Sequence, residues 1–212
     1  MQKQQRTIDT GESMTPTVCL VVLSASKEEL VLPGDIHDEV AELVVVLNPG
    51  GRFGGLGAIA ERVMCRTVCD VFGIVHADVS FEHGAITRLA QTAYAGAVSG
   101  LVGCNIEGSI VWGRSVPEGR CEPVSTLDSC CLFVRPNMGA QWDTATFGGF
   151  HCCVEDFCLT AASRGVPVVV PDVKGDHLGS RYQNAKWLQD FAVERRKLVT
   201  KWAGTDFRTT TG

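Results

Sequence analysis

Apolar, β-branched runs alternate with segments of helical spacing through the first half of the chain. Thr17–Leu23, Leu43–Leu47 and Val71–Val75 are continuous apolar runs, a pattern typical of strands buried on both faces of a sheet. Gly54–Arg66 and Gly84–Val98 carry apolar residues at helical intervals, so we predict a helix in each. Alternating strands and helices predict an α/β fold with a mostly parallel sheet flanked by helices.

Further strands and helices are predicted in the second half. Pro123–Arg135 indicates a strand interrupted at Asp128, and an apolar stripe that begins at Val154 indicates a short helix. Val166–Val170 indicates another buried strand. Tyr182–Trp202 predicts a terminal helix whose inward residues are Trp187, Leu188, Phe191 and Leu198.

The length of the chain suits a single domain. With 212 residues, 45% of them hydrophobic, the chain can bury a full core. We predict one domain over residues 15–204, a flexible segment over 1–14 and a flexible tail over 205–212. No apolar run reaches the roughly 20 residues that span a bilayer, and residues 1–14 lack the apolar centre of a secretory signal. We therefore expect a cytoplasmic protein without a transmembrane segment.

Charge and cysteine content narrow the class of protein further. The net charge of −5 argues against a nucleic-acid-binding domain, which normally carries a basic face. The ten cysteines include no CxxC pair, so their spacing does not predict a structural zinc site. Most of them lie in apolar runs, and we expect them to be buried and reduced.

The ends of the predicted strands are polar and form the first candidate site. Ligands of parallel α/β sheets bind at the carboxyl ends of the strands. There the sequence places Ser24-Ala25-Ser26, then Asn48-Pro49-Gly50-Gly51, then His76-Ala77-Asp78. A carboxylate such as Asp78 can bind a divalent cation. A strand-end aspartate taken alone is more often a turn or cap residue.

Two further segments carry candidate chemistry. His177 follows the last predicted strand and could complete a metal site, because imidazole suits a borderline cation such as manganese. Glu155 and Asp156 open the short helix, where the helix dipole favours negative charge. Asp156 would share a polar face with Thr160 and Ser163, a face that could line a cleft. The alternative is that both carboxylates only stabilise the helix terminus.

The order of these motifs resembles glycosyltransferase family 2, and more narrowly its short relatives. The resemblance rests on VFGIVHADVSF, TLDSCCLFVRP, WDTATFGGFHCCVEDFCLTAASRGVPVVVPD and HLGS. These segments cover Val71 to Ser180, and the block from Leu127 to Pro171 is the most specific.

The resemblance implies a GT-A type fold and a nucleotide-diphosphate sugar as donor. It implies a divalent cation, Mn²⁺ or Mg²⁺, held by Asp78 and His177. It also implies an inverting, hexosyltransferase-like reaction in which Asp156 or Glu155 takes the proton of an acceptor hydroxyl. The residues expected at the donor and its cation are Ser24, Asn48, His76, Asp78 and Asp128. The acceptor would be a glycan, a lipid-linked sugar or a protein, and a second copy of the chain stays open as a partner.

The departures from the family pattern leave two alternatives. His76 stands where the family has its first acidic residue, and Val154 stands where an acidic pair usually begins. A GT-A-fold binding protein that has lost activity would explain both. The second alternative is a nucleotidyltransferase, although Ser24–Lys27 matches its glycine-rich first loop poorly. Of the two carboxylates we favour Asp156 as the base, because of the polar face that it shares.

Overall fold

Strands and helices alternate through a single α/β architecture in the computed structural model, which describes residues 15–24, 36–48, 54–178 and 185–210. The predicted flexible segment 1–14 and the strand-end residues 25–26 and 49–51 lie outside the described residues. The strands are β1 (Val18–Ser24), β2 (Glu42–Leu47), β3 (Val71–His76), β4 (Val79–Phe81), β5 (Val98–Ser99), β6 (Val102–Cys104), β7 (Ile110–Trp112), β8 (Cys121–Pro123), β9 (Thr126–Leu127), β10 (Cys131–Val134), β11 (Val168–Pro171) and β12 (Gly175–His177).

Seven of these strands form the central sheet, in the order β2-β1-β3-β10-β5-β11-β8. Strands β1, β2 and β3 pair in parallel, as do β5 and β11. Strands β10 and β8 run antiparallel to their neighbours. The prediction of a mostly parallel sheet is therefore confirmed.

Helices cover both faces of this sheet. They are α1 (Ile36–Glu39), α2 (Leu56–Met64), α3 (Ala85–Tyr94), α4 (Cys153–Ser163) and α5 (Ala185–Lys201). Along β1, Leu20 and Val22 belong to the core cluster that includes α3, whereas Val21 and Leu23 belong to the cluster that includes α2 and α4. This alternation follows from the period of two in a strand, and it explains why the run is apolar throughout.

Two expectations about burial are wrong. Strand β2 was predicted to be buried on both faces, but it lies at the sheet edge beside β1, and Val45 is 38% exposed. An apolar run does not distinguish an edge strand from a central one. Leu188 was predicted to face inward, yet it is 54% exposed, whereas Leu198 is fully buried.

Two small sheets complete the fold. One contains β7, β6 and β9, and the other pairs β4 with β12 in antiparallel orientation. The pairing of β4 with β12 was not predicted, because each strand has only three residues and neither carries an apolar alternation. This short pairing determines which side chains meet at the candidate site.

The end of the chain lies against the domain as far as Thr210. Thr126 donates from its hydroxyl to the carbonyl of Arg208 at 2.7 Å, and the Thr210 hydroxyl donates to Asp128 Oδ2 at 2.9 Å. Residues 208–210 therefore pack on β9 and its following turn, where the sequence predicted a flexible tail. Among the described helices, none is long and apolar enough to cross a membrane.

The cysteines follow the expectation for most positions. All ten have free thiols, and seven of them are buried. Burial raises the pKa of several thiols, to about 12 for Cys131 and Cys158. Cys65 and Cys121 are exposed and Cys69 is half-buried, so the expectation of burial does not hold for these three.

Candidate active site

The carboxyl ends of three parallel strands meet at one edge of the sheet. Ser24 ends β1 opposite Leu47 of β2, and Leu23 lies opposite His76 of β3. The amide of Asn48 donates to the carbonyl of Ser24 at 2.9 Å. Ser24 and Asn48 are both buried, and the Asn48 side chain also donates to the carbonyl of Gly54 at 3.0 Å. Of the residues nominated from the sequence at this edge, the structure thus brings together Ser24, Asn48 and His76.

The pairing of β4 with β12 brings Asp78 and His177 into contact. His177 lies opposite Val79, and the amide of Leu178 donates to the carbonyl of Asp78 at 3.0 Å. As a result His177 Nε2 lies 3.4 Å from Asp78 Oδ2. Asp78 and His177 are distant in sequence, and the backbone hydrogen bonds between β4 and β12 make them neighbours.

Five side chains with metal-ligating atoms converge at this position, and we call them the strand-end cluster: His76, Asp78, Asp128, Cys130 and His177. Ligand atoms of His76, Asp78 and His177 all lie within 4.8 Å of one another, and so do those of Asp128, Cys130 and His177. His177 belongs to both groups. The rings of His76 and His177 are 6.0 Å apart.

The ionisable groups of the cluster influence one another. Burial lowers the pKa of His76, against the opposing charges of Asp128 and Asp78. The hydrogen bond with Asp78 raises the pKa of His177. Burial would raise the pKa of Asp78, but the hydrogen bond and charge of His177 outweigh it, and the pKa is lowered.

The donor set of the cluster fits a divalent cation. Imidazole nitrogens and carboxylate oxygens together suit borderline cations such as manganese and zinc. The three residues His76, Asp78 and His177 are each half-buried, so their ligand atoms are neither sealed in the core nor dispersed on the surface. The same geometry also satisfies an ion pair between protonated His177 and Asp78, which is the simpler interpretation without a cation.

The two adjacent carboxylates at the start of α4 point to different partners. Asp156 Oδ1 accepts a hydrogen bond from Trp202 Nε1 at 2.8 Å, and its carboxylate pairs with Lys201 Nζ at 2.9 Å. Asp156 is 1% exposed. The expected polar face that Asp156 would present to a cleft is therefore wrong: the C-terminal helix covers it.

Glu155 has the opposite character. Its side chain is buried, and its Oε2 has no hydrogen-bond partner among the described residues. Burial raises the pKa of Glu155 to about 7, and the charges of Asp128 and Asp156 add to this effect. The charge of Asp128 also acts on His76 and His177, so Asp128 links Glu155 to the strand-end cluster.

Several residues of this region were not singled out from the sequence. Cys130 was interpreted as one of many buried cysteines. Lys201, which pairs with Asp143 and Asp156, is another residue that was not singled out. The available signal for Cys130 was its position two residues after Asp128, a spacing that suits an Asx turn, and its amide does donate to Asp128 Oδ1 at 2.9 Å.

Comparison with known proteins gives matches of structure but not of sequence. No model of a protein family matches the chain, and no curated protein matches it. A crystal structure of GalNAc-T7 with UDP, GalNAc and Mn²⁺ matches 91% of this chain and 49% of that chain, with a TM-score of 0.62 and 8% identity. The crystal structure of A197 from STIV matches 77% and 86%, with a TM-score of 0.50 and 12% identity. The inositol-1-phosphate CTP transferase from T. maritima matches 85% and 97%, with a TM-score of 0.42 and 11% identity.

The match with GalNAc-T7 defines the class of the domain by its fold. The resemblance to GT-A glycosyltransferases is confirmed at this level: the chain is an α/β domain of GT-A type. It spans about half the length of the GalNAc-T7 chain. At such low identity the similarity does not extend to substrates, and the fold alone does not determine function.

Proposed function

We propose that this chain is a metal-dependent glycosyltransferase that moves a sugar from a nucleotide-diphosphate sugar to an acceptor hydroxyl with inversion. One observation carries the proposal: in a GT-A type fold, His76, Asp78 and His177 place their ligand atoms within 4.8 Å of one another at the carboxyl end of β3. That position is where ligands of parallel α/β sheets bind.

Asp78 and His177 would hold a divalent cation, Mn²⁺ or Mg²⁺, with His76 as a third ligand. A bound cation stabilises the negative charge that develops on a departing diphosphate. The GalNAc-T7 structure contains both UDP and Mn²⁺. A protein of the same fold therefore supports the proposal that a cation and a nucleoside diphosphate bind together. Ser24 and Asn48, buried at the ends of β1 and β2, would border the nucleotide.

Glu155 would serve as the general base, in preference to Asp156. Both oxygens of Asp156 are engaged by Lys201 and Trp202, whereas Oε2 of Glu155 has no partner among the described residues. A base with a pKa of about 7 can accept a proton efficiently near neutral pH.

The reaction follows from these roles. The acceptor oxygen would bond to the anomeric carbon while the bond from that carbon to the diphosphate breaks. The hydroxyl proton would pass to Glu155, and the electron pair of the broken bond would leave with the diphosphate. A single displacement of this kind inverts the anomeric carbon.

A binding protein with the same fold remains the competing function. The observation that favours a binding protein is that His76 stands where the family pattern has an acidic residue. Such a protein would bind a nucleoside diphosphate with a cation but would not release one from a sugar donor. Turnover therefore distinguishes the two functions, and binding alone does not.

The experiment is a donor screen with Mn²⁺ that measures release of nucleoside diphosphate. We expect release from one donor class, loss of it in excess chelator, and loss of it in Asp78→Asn. Asp176→Asn is the matched control, because Asp176 neighbours His177 on β12 but pairs with Arg114 on the exposed surface. Equal release by Asp78→Asn and the unaltered chain would refute the proposed metal ligand.

A further inference from the structure

A sulfur atom lies in the strand-end cluster beside the expected oxygen and nitrogen ligands. Cys130 Sγ, a carboxylate oxygen of Asp128 and a ring nitrogen of His177 all lie within 4.8 Å of one another. Because His177 also belongs to the group with His76 and Asp78, the thiol is adjacent to the proposed cation position. Three different types of ligand atom therefore converge there.

Backbone hydrogen bonds fix Cys130 relative to the rest of the cluster. Its carbonyl accepts the amide of His76 at 2.9 Å, and its own amide donates to Asp128 Oδ1 at 2.9 Å. The amide of Asp128 donates in turn to the carbonyl of Val102 at 2.9 Å. The turn that carries Asp128 and Cys130 is thus attached to both β3 and β6, which holds the backbone of Cys130 beside that of His76.

The surroundings of Cys130 differ from those of its neighbour Cys131. Both side chains are fully buried. Cys131 lies at the start of β10, and its thiol has a hydrogen bond with the backbone of Leu101. Cys130 instead has a carboxylate and an imidazole as neighbours, which a cysteine that only fills the core does not require.

We propose that Cys130, with Asp128 and His177, supplies further ligands at this site, so that the site also accepts a thiolate-binding cation of the zinc class beside Mn²⁺. Thiolate, imidazole and carboxylate are the ligands of zinc in proteins, and thiolate is a poor ligand for magnesium. The inference rests on the proposed function, since it concerns the same cation site.

The proton balance of this binding is simple. Cys130 would bind as the thiolate, so one thiol proton is released to solvent for each cation bound. Asp128 retains capacity for a cation, because each carboxylate oxygen has two lone pairs. Its Oδ1 accepts a hydrogen bond from the Cys130 amide, and its Oδ2 accepts one from the Thr210 hydroxyl.

Cobalt(II) is the probe, because thiolate coordination gives a charge-transfer absorption in the near ultraviolet that oxygen and nitrogen ligands do not give. The titration uses the full chain with Cys65, Cys69 and Cys121 changed to Ser, since these are the thiols that solvent reaches. We expect the charge-transfer band to saturate at one cobalt per chain. It should disappear in Cys130→Ser and persist in Cys131→Ser, the matched control.

A second measurement does not depend on spectra. Zinc affinity, measured by competition with a chromophoric chelator, should fall at least roughly tenfold in Cys130→Ser, whereas magnesium affinity should stay unchanged. Circular dichroism and thermal melting verify that both serine variants fold. If Cys130→Ser fails to fold, the spectrum of the parent chain still decides, because it either contains the charge-transfer band or lacks it.

The outcomes separate this inference from the proposed function. Cobalt bound with visible ligand-field bands but without the charge-transfer band would overturn the role of Cys130 and leave the metal site in place. An absence of cobalt binding would overturn the thiolate site. Release of nucleoside diphosphate with Mn²⁺ is measured separately and decides the transferase proposal whatever the cobalt result.

Discussion

Two regions of this domain group charged side chains around a buried carboxylate, and they differ in how that carboxylate is paired. The strand-end cluster gathers His76, Asp78, Asp128, Cys130 and His177 at one sheet edge, with Glu155 nearby. The second region, which we call the helix clamp, contains Asp143, Asp156, Lys201 and Trp202. In the clamp every carboxylate has a direct partner: Lys201 Nζ lies 2.8 Å from Asp143 and 2.9 Å from Asp156.

The difference shows why burial alone does not identify a catalytic group. Asp156 is buried and adjacent to Glu155, yet its hydrogen bonds with Lys201 and Trp202 show that it holds the C-terminal end of α5 in place. Glu155 is buried without a partner for Oε2, and an unsatisfied buried oxygen costs stability. Functional sites are where such a cost is retained. The unpaired member of the pair is therefore the better candidate base.

The largest expected effect is on turnover, and it distinguishes Glu155 from Asp156. Glu155→Gln should lower turnover by roughly 10²–10⁴ if Glu155 is the general base. Asp156→Asn should keep turnover per folded molecule close to that of the unaltered chain. Steady-state rates at saturating donor test this, with folded fractions measured by circular dichroism. The reverse result, a large loss in Asp156→Asn alone, would restore Asp156 as the base.

The next effect concerns the helix clamp and stability. Asp156→Asn should lower the free energy of unfolding by about 1–3 kcal/mol, because the buried Asp156 loses its charge-assisted hydrogen bond with the partly exposed Lys201, which keeps Asp143. Urea unfolding measures the change. Asp190→Asn is the control: Asp190 pairs with Lys186 on the exposed surface of α5, and an exposed pair contributes under about 1 kcal/mol. Similar losses in both variants would contradict the clamp.

Stability should also depend on pH through Glu155. The pKa of this carboxyl is raised from 4.5 to about 7 in the folded chain. The stability that the protonated Glu155 carboxyl contributes is therefore fully present below the unfolded pKa of about 4.5, and it is lost as pH rises through about 7. In Glu155→Gln that loss is absent, so at pH 8 the variant should be more stable than the unaltered chain by on the order of 2–3 kcal/mol. Parallel pH profiles of the two chains would contradict the raised pKa.

The smallest effect concerns the contact of the chain end with the cluster. Thr210→Ala removes the hydroxyl that donates to Asp128 Oδ2, and we expect a loss of about 0.5–1.5 kcal/mol. Thr210→Ser keeps the hydroxyl and should restore most of it. Thermal melting of the three chains measures the order. A melting temperature unchanged in Thr210→Ala would show that residues 208–210 do not hold the cluster.

The central strands could be predicted because a strand that is buried on both faces is apolar at every position. Continuous apolar runs predicted β1 and β3, and the helical spacing of Ile86 and Leu89 predicted α3. The edge position of β2 could not be predicted, since apolar content does not encode which strands are neighbours. Strands β4 and β12 were missed because three residues carry no periodicity, and their pairing depends on distant backbone groups.

The candidate site was predictable only in part for the same reason. Strand-end rules placed Ser24, Asn48, His76 and Asp78 at one edge, because the carboxyl ends of parallel strands lie at the same edge of a sheet whatever the strand order. The contact of His177 with Asp78 depends on the pairing of β4 with β12. The choice between Glu155 and Asp156 depends on the end of α5, where Lys201 and the next residue, Trp202, are close in space to Asp156 but distant in sequence.

Binding of Mn²⁺ in the presence of a nucleoside diphosphate is the most direct test of the account, since the central claim is that the strand-end cluster holds a cation for a diphosphate. Calorimetric titration with Mn²⁺ in the presence of UDP, and then of the other nucleoside diphosphates, measures it. We predict one Mn²⁺ per chain with at least one of them, lost in Asp78→Asn and in His177→Ala and retained in Asp156→Asn. Absence of binding by the unaltered chain, or equal binding by Asp78→Asn, would contradict the account.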